Sequence, residues 1–193
     1  MLPDLVFATN NAHKLEEVQA MLGAMLNLKS LTDIGCEEDI AETGQTFAAN
    51  ASIKSRYIFK KYGFNCFGDD SGLVVDALNG EPGVYSARYS GSRDPQVNLE
   101  LVLEKMQNQS LRSARFVSVV SLMWQGKEYF FEGRVEGQIT LSRFGAAGFG
   151  YDPIFMPDGY DITFAEMSME QKNQISHRAR AMQQLVDFLK QQS

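Results

Sequence analysis

The chain has 193 residues, of which 44% are hydrophobic and 22% are charged, the composition of an ordinary globular domain. This composition excludes a mainly disordered chain, and the 16 glycines show no collagen-like period. A net charge of −6 argues against capture of nucleic acid by the whole surface, and no apolar run reaches the roughly 18 residues that a membrane span needs.

Cysteine usage and the first residues of the chain predict a cytoplasmic protein. Only Cys36 and Cys66 occur, too few for a disulfide framework, and this fits a reducing compartment. Residues 1–4 contain neither a basic segment nor a long apolar stretch, so no secretory signal is expected. With two cysteines and two histidines, a zinc site is not expected, and a metal would be a hard cation such as Mg²⁺ held by carboxylates.

The chain opens with a predicted strand, a polar turn and a helix. Residues 5–8 are an apolar run, and residues 9–13 have turn chemistry. A helix is predicted next because apolar residues recur at steps of three and four, at Leu15, Val18, Leu22 and Met25. Backbone amides of residues 9–14 would then lie at a helix N-terminus, where Lys14 adds a full charge and phosphate is attracted.

The next segments alternate between strand and helix patterns. A strand is predicted near residues 26–31 and a helix over residues 46–62. The strand that begins at Cys66 is predicted to end at Asp69 and Asp70, and strand character resumes at residues 73–75. A further helix is marked by Leu99, Val102, Leu103 and Met106.

The second half predicts a hairpin, a loop and two helical segments. Residues 116–124 and 129–134 favour strands, joined by a turn at residues 125–126. A glycine-dense loop covers residues 145–150, and Ser168 with Gln171 has the form of a capping box. A terminal helix carries Ala179, Met182, Val186 and Leu189. No repeat or linker interrupts residues 1–193, which predicts a single α/β domain of two lobes with a mixed sheet.

Adjacent carboxylates, Asp69 and Asp70, are the sharpest local feature. Side chains alternate on an extended chain, so only one of the two is expected to dominate in metal binding. Taken alone, the sequence of residues 68–72 is more typical of a solvated turn than of a metal site.

Two further groups of residues also allow a structural and a functional interpretation. The loop at residues 145–150 matches neither a dinucleotide fingerprint nor a P-loop; it is either a flexible loop or a frame for stacking Phe149 on a base. Lys172, His177 and Arg178 are either an ordinary polar surface or a set of donors for a carbonyl acceptor. His13 by itself is a turn residue.

Five sequence blocks, in order, resemble the inosine/xanthosine triphosphate pyrophosphatase family. The blocks are FATNNAHKLEEV at residues 7–18, DDSGL at 69–73, PGVYSARY at 82–89, FGYDPIF at 149–155 and ISHR at 175–178. The similarity runs from about residue 5 to residue 190, and the ordered set is far more specific than any single block.

The resemblance implies a homodimeric, Mg²⁺-dependent enzyme that hydrolyses aberrant purine nucleoside triphosphates to monophosphate and pyrophosphate. The implied fold is an elongated mixed sheet flanked by helices, with the active cleft between two lobes. Asp70 would be the catalytic carboxylate and a metal ligand, with Glu42 as the second ligand. The implied substrate-binding residues are Thr9, Asn10, Asn11, Ala12, His13, Lys14, Lys54, Ser71, Phe149, Gly150, Tyr151, Asp152, Lys172, His177 and Arg178.

Two positions depart from the family pattern. Asn10 replaces a glycine that is common there, and asparagine tolerates a left-handed backbone nearly as well. Ala49 stands where many bacterial members have glutamate, which would shift metal binding toward Glu42 and Asp70.

Two alternatives of different classes remain at this level. One is a regulatory module that binds a nucleotide without turnover, for which Ala49 leaves room. The other is a related pyrophosphatase for pyrimidine or methylated nucleotides, which the blocks at residues 149–152 and 176–178 disfavour. A nucleic-acid-binding role ranks last, because the chain is acidic and lacks an aromatic and basic stripe. Membrane association is not expected.

Overall fold

A computed structural model describes residues 4–192 of the chain. The expectation about a secretory signal rests largely on residues 1–3, which lie outside the described residues. The described strands are β1 (Asp4–Phe7), β2 (Asn27–Lys29), β3 (Cys66–Val75), β4 (Ser113–Trp124), β5 (Lys127–Ile139) and β6 (Phe155–Pro157). The α-helices are α1 (Ala12–Leu22), α2 (Phe47–Tyr62), α3 (Pro95–Met106), α4 (Met169–Ile175) and α5 (His177–Lys190).

The strands form one mixed sheet in the order β2-β1-β3-β4-β5-β6. β1 lies parallel to both β2 and β3, with Val6 opposite Lys29 on one side and Cys66 on the other. β5 and β6 are antiparallel, with Gln138 opposite Met156. The predicted α/β class with a mixed sheet flanked by helices is therefore confirmed.

The described residues form two compact units. The chain passes from one unit to the other within β3, β4 and β5 and at the start of α5. The first unit comprises residues 4–70, 118–133 and 178–192. The second unit comprises residues 71–117 and 134–177.

The first unit has a core that follows from the amphipathic pattern of its helices. Val18 and Leu22 of α1 and the apolar face of α5 pack with Leu5 and Phe7 of β1. Phe7 also stacks on Phe67 of β3, with ring centroids 4.5 Å apart. α1 ends at Leu22, so Met25, predicted to continue it, lies beyond the helix and is exposed.

The second unit has a core rich in aromatic residues. Phe116 of β4 packs against Phe155 of β6 and against Phe164, with centroid distances of 4.7 and 5.9 Å. Leu99, Val102 and Met106 of α3 are buried in the same cluster, as their spacing predicted. The predicted capping box of Ser168 and Gln171 opens α4.

The strand prediction for residues 66–75 was wrong in one respect. These residues form one uninterrupted strand, so β3 does not end at Asp69 and Asp70 and no turn occurs at residues 68–72. Gly68 permits the close packing of β3 on α2, because a Cβ at residue 68 would lie 2.7 Å from the carbonyl oxygen of Ala51.

Two smaller findings concern the cysteines and the helices. Cys36 and Cys66 are both free and buried. Within residues 4–192, the helices are too short or too polar to cross a bilayer.

Candidate active site

The turn between β1 and α1 has the geometry that the sequence predicted. The hydroxyl of Thr9 accepts a hydrogen bond from the amide of Asn11 (3.2 Å), and the side chain of Asn11 caps α1 by accepting from the amide of Lys14 (3.2 Å). The turn residues Asn10, Asn11, Ala12 and His13 are exposed. An accessible helix N-terminus, with its positive dipole end, therefore lies where phosphate binding was predicted.

Asn10 fits this turn for a different reason from the one expected. In the described chain, positive φ among residues other than glycine occurs at Asn79 and Gln125, and Asn10 is not one of them. The turn at this position does not use a left-handed backbone, so replacement of glycine requires no special tolerance.

Asp69 lies in a buried cluster of alternating charges. Lys14 Nζ donates to Asp69 Oδ1 (3.0 Å), and Arg178 Nε donates to Asp69 Oδ2 (3.3 Å). Arg178 also forms an ion pair with Glu17 through Nη1. Burial disfavours the Asp69 anion, but the neighbouring cations, Lys14 foremost, outweigh it and hold the pKa of Asp69 well below its usual range.

Asp70 has the opposite electrostatic environment although it is the next residue. It is 6% exposed, and its Oδ2 accepts a hydrogen bond from Asn50 Nδ2 (2.9 Å). Burial raises the pKa of Asp70 to about 6, against the attraction of Lys54 and with a further contribution from Glu42. The strand alternation expected for these carboxylates gives them different partners and different pKa values.

Lys54 and Glu42 complete the polar cluster around Asp70. Lys54 Nζ donates to Glu42 Oε1 and to the carbonyl oxygen of Asp69, both at 2.5 Å. The side chain of Lys54 is nearly buried, and that of Glu42 is about one quarter exposed (27%). A lysine in this position carries a positive charge into the immediate surroundings of Asp70.

The donor set around Asp70 fits Mg²⁺ bound together with a phosphorylated ligand. Over residues 4–192, no group of three or more His, Cys, Asp or Glu side chains is arranged around a common metal position. Mg²⁺, however, is commonly held by one or two carboxylates plus phosphate oxygens and waters. Glu42 and Asp70 would supply two hard oxygen ligands. The charge of Glu42 contributes to raising the pKa of Asp70, and a bound cation would relieve this repulsion between the two carboxylates.

The second unit orders the loop that contains Phe149. The amide of Phe149 donates to Asp152 Oδ2 (2.9 Å), and Lys172 Nζ donates to the same oxygen (2.7 Å). Lys172 Nζ also lies 4.9 Å from the centroid of the Phe149 ring, within the range of a cation–π interaction. Gly148 has φ of +75°, and a Cβ there would lie 2.2 Å from Asp152 Oδ2, so only glycine fits.

The remaining predicted residues of the second unit have structural contacts of their own. The His177 ring stacks on Phe116 with centroids 4.8 Å apart and planes 11° from parallel. The hydroxyl of Tyr151 donates to the carbonyl oxygen of Ser86 (2.8 Å), Gly150 has φ of +62°, and Ser71 is half-buried in β3.

The predicted site residues thus fall into two groups. Thr9 to Lys14, Glu42, Lys54, Asp70 and Arg178 belong to the first unit, and Ser71, Phe149 to Asp152, Lys172 and His177 belong to the second. His177 and Arg178, predicted to act together on a base, are adjacent in sequence, but Arg178 is engaged by Asp69 and Glu17 whereas His177 stacks on Phe116.

Sequence reasoning missed two buried polar residues in the first unit. Glu17, the partner of Arg178, is 6% exposed and occupies α1 next to the core residue Val18. Asn50, the partner of Asp70, is fully buried and lies one helical turn before Lys54. Helical spacing could have indicated both residues. Glu17 lies three positions after Lys14 and Asn50 lies four positions before Lys54, and these spacings place side chains on the same face of a helix.

The mixed α/β fold holds a capped helix N-terminus, buried lysines and a carboxylate with a raised pKa. This combination defines a class of protein suited to polyphosphate chemistry. The sequence comparisons narrow this class: the model of the Ham1 family matches residues 5–188. The chain belongs to the Ham1 family, and the family resemblance seen in the sequence blocks is confirmed.

Similar proteins cover almost the whole chain. A dITP/XTP pyrophosphatase of Flavobacterium johnsoniae is 50% identical over 186 residues, covering 96% of this chain and 97% of that protein. A dITP/XTP pyrophosphatase of Porphyromonas gingivalis is 47% identical over 187 residues, covering 96% of each chain. The solved structure of the Staphylococcus aureus Ham1 protein has a TM-score of 0.89 at 40% identity, covering 98% of this chain and 100% of that chain.

Proposed function

We propose that this protein hydrolyses ITP, dITP and XTP to the nucleoside monophosphate and pyrophosphate, and so prevents their incorporation into DNA and RNA. Relatives that are 43–50% identical over nearly the whole chain are named dITP/XTP pyrophosphatases, which supports this substrate class. The observation that carries the proposal is the buried Asp70, whose pKa of about 6 suits a base that works near neutral pH.

Residues of the first unit act on the triphosphate in this proposal. The amides of the turn from Thr9 to His13 and the ammonium groups of Lys14 and Lys54 stabilise the phosphate charge and the departing pyrophosphate. Their contribution is electrostatic and positional, as is general in phosphoryl transfer.

Asp70 activates the attacking water. Its carboxylate is ionised at neutral pH, and Asn50 fixes Oδ2. The proton of the water passes to Asp70, the water oxygen forms a bond to the α-phosphorus, and the bond between that phosphorus and the bridging oxygen breaks. Pyrophosphate leaves with the bridging oxygen, so no redox partner is needed.

Glu42 and Asp70 are the residues that would hold Mg²⁺. When bound, Mg²⁺ neutralises phosphate charge and lowers the pKa of a coordinated water. Lys54 keeps Glu42 oriented toward this role through its hydrogen bond to Oε1.

The remaining predicted site residues contact the purine. Phe149 offers a stacking surface, Gly150, Tyr151, Asp152 and Lys172 frame it, and Ser71 touches substrate. His177 and Arg178 supply donors that match the 6-oxo group of hypoxanthine and xanthine. Adenine presents an amino donor at that position, and the mismatch of buried donors can reduce kcat/KM by about 10⁴-fold or more.

We also propose a homodimer in the cytoplasm, as the family resemblance implies. Two free, buried thiols suit a reducing compartment. Light scattering on the purified chain measures its mass in solution, and a monomer would contradict the dimer.

Pyrophosphate release from ITP, XTP, GTP and ATP, with and without Mg²⁺, tests the proposal. Fast release from ITP and XTP that requires Mg²⁺, with little from ATP or GTP, is the expected result. GTP is the demanding comparison because guanine also carries a 6-oxo group. Orthophosphate as the direct product would refute cleavage at the α-phosphorus, and tight ITP binding without turnover would favour a regulatory module.

A further inference from the structure

Asn50 bridges two segments that carry the candidate metal ligands. Its Nδ2 donates to Asp70 Oδ2 (2.9 Å), and its Oδ1 accepts from the amide of Gly44 (2.7 Å), two residues after Glu42. The side chain is fully buried, and because buried polar groups need hydrogen-bond partners, these two contacts satisfy both ends of the amide. The amide orientation is thereby fixed, because an N–H must face the carboxylate and the oxygen must face the Gly44 N–H.

Lys54 forms a second bridge between the same segments. Its Nζ donates to Glu42 Oε1 and to the backbone oxygen of Asp69. Asn50 and Lys54 are four residues apart in α2, so they project from the same face of the helix. One turn of α2 therefore holds the segment of Glu42 and Gly44 and the segment of Asp69 and Asp70 at two points.

Two glycines allow this close approach. A Cβ at Gly44 would lie 2.7 Å from Asn50 Oδ1 and 2.7 Å from Ala49 Cβ. A Cβ at Gly68 would lie 2.9 Å from Lys54 Cβ. Any larger residue at either position would push a segment away from α2, which indicates that the spacing between the segments is tightly determined.

We propose that Asn50 is a positioning residue that sets the distance between the carboxylates of Glu42 and Asp70, so that both can bind the same divalent cation. The inference rests on the Mg²⁺ dependence proposed above, and it assigns to Asn50 a role that the sequence blocks do not indicate.

Mn²⁺ binding to the full-length protein tests the inference without any turnover. The free Mn²⁺ signal in electron paramagnetic resonance gives the dissociation constant for the wild type, Asn50→Ala and Gly44→Ala, with Mn²⁺ as the only added ligand. Both variants should bind Mn²⁺ about 10–100-fold more weakly, the usual cost of losing a group that orients metal ligands.

Asn98→Ala is the matched control, because Asn98 is also a buried helical asparagine whose side-chain amide uses both its oxygen and its nitrogen in hydrogen bonds. Its Oδ1 accepts from the amide and hydroxyl of Ser90, and its Nδ2 donates to carbonyl oxygens of Ala87 and Ser92. Asn98→Ala should lower the thermal unfolding midpoint as Asn50→Ala does, yet leave the Mn²⁺ dissociation constant within about twofold of wild type.

Three outcomes would overturn the inference. These are Mn²⁺ affinity unchanged in Asn50→Ala and Gly44→Ala, an equal loss in Asn98→Ala, or no Mn²⁺ bound by the wild type. If Asn50→Ala does not fold, Gly44→Ala decides alone, since it retains the asparagine and moves its partner. Wild-type hydrolysis of ITP without any divalent cation would instead refute the proposed Mg²⁺ dependence, so the two failures are distinguishable.

Discussion

The two units of this protein embed their polar site residues in opposite ways. In the first unit, Lys14, Asp69, Arg178 and Glu17 form a buried series of alternating charges. In the second unit, one buried ion pair, Lys172 with Asp152, lies beside the aromatic rings of Phe149 and Phe164. The first environment is suited to controlling charge, and the second to holding a flat, weakly polar group.

This difference shows how neighbouring residues acquire different chemistry. Asp69 and Asp70 have the same side chain, but Lys14 and Arg178 keep Asp69 ionised, whereas burial and Glu42 make Asp70 easier to protonate. Carboxyl groups whose pKa values are driven apart by their surroundings commonly divide structural and catalytic roles. We infer that Asp69 organises cations and that Asp70 moves the proton.

The largest expected effect is the loss of catalysis when Asp70, the carboxylate assigned to proton transfer, is replaced. Asp70→Asn should lower kcat for ITP by about 10³-fold or more, because the amide cannot accept a proton from water, while ITP binding remains. Steady-state pyrophosphate release and equilibrium binding of ITP measure the two quantities, with the exposed Asp158→Asn as control. Activity near that of wild type would remove Asp70 from the catalytic role.

The next largest effect concerns how much each of the two buried ion-pair clusters contributes to the free energy of unfolding. Arg178→Met removes the cation that Asp69 and Glu17 share, and we expect it to cost about 3–5 kcal/mol in the free energy of unfolding. Lys172→Met should cost less, because it affects one carboxylate and Asp152 keeps the amide of Phe149. Urea unfolding measures both, and a larger loss in Lys172→Met would reverse the comparison.

A third prediction concerns the pH dependence of stability at Asp70. The folded pKa of about 6 lies above the ordinary value of 3.8, so the ionisation of Asp70 is unfavourable to the fold above pH 6, and the contribution of Asp70 to stability becomes more favourable as pH falls from about 6 toward 3.8. Without divalent cations, Asp70→Asn should be more stable than wild type at pH 8 by about 1–3 kcal/mol.

Urea unfolding in the presence of a chelator at pH 8 and pH 4 provides the measurement for this third prediction. The advantage of Asp70→Asn should disappear at pH 4, where the wild-type carboxyl is protonated in the folded state. An Asp70→Asn protein that is less stable than wild type at pH 8 would show that the Asp70 anion stabilises the fold.

The smallest expected effect comes from an ion pair nearer the surface. Lys61, Cys36 and Tyr62 donate to Glu38 and lower its pKa to about 2. A lowered pKa means that the stabilisation is present above pH 4.5 and is lost as pH falls toward 2. Glu38→Gln should therefore be slightly less stable than wild type at pH 7, and the difference should shrink at pH 3. If the stability difference between Glu38→Gln and wild type were larger at pH 3 than at pH 7, the prediction would be contradicted.

Sequence periodicity predicted most elements of the fold. The helices over residues 12–22, 47–62, 95–106 and 177–190 and the hairpin of β4 and β5 follow from apolar spacing and turn residues. The error at β3 has a clear reason. Glycine and aspartate favour turns locally, but the backbone of Gly68 packs on α2, and cations satisfy Asp69, so the strand continues.

The sequence by itself determined the fold class, the helix N-terminus after β1 and the family, because these depend on local spacing and on ordered motifs. Only the tertiary structure decided the partners of Asp69 and Asp70, since Arg178 is 109 residues from Asp69 along the chain and Asn50 is 20 from Asp70. The pKa values of these carboxyl groups follow from burial and from charges that folding brings together. Neither can be predicted from residues that are adjacent in the sequence.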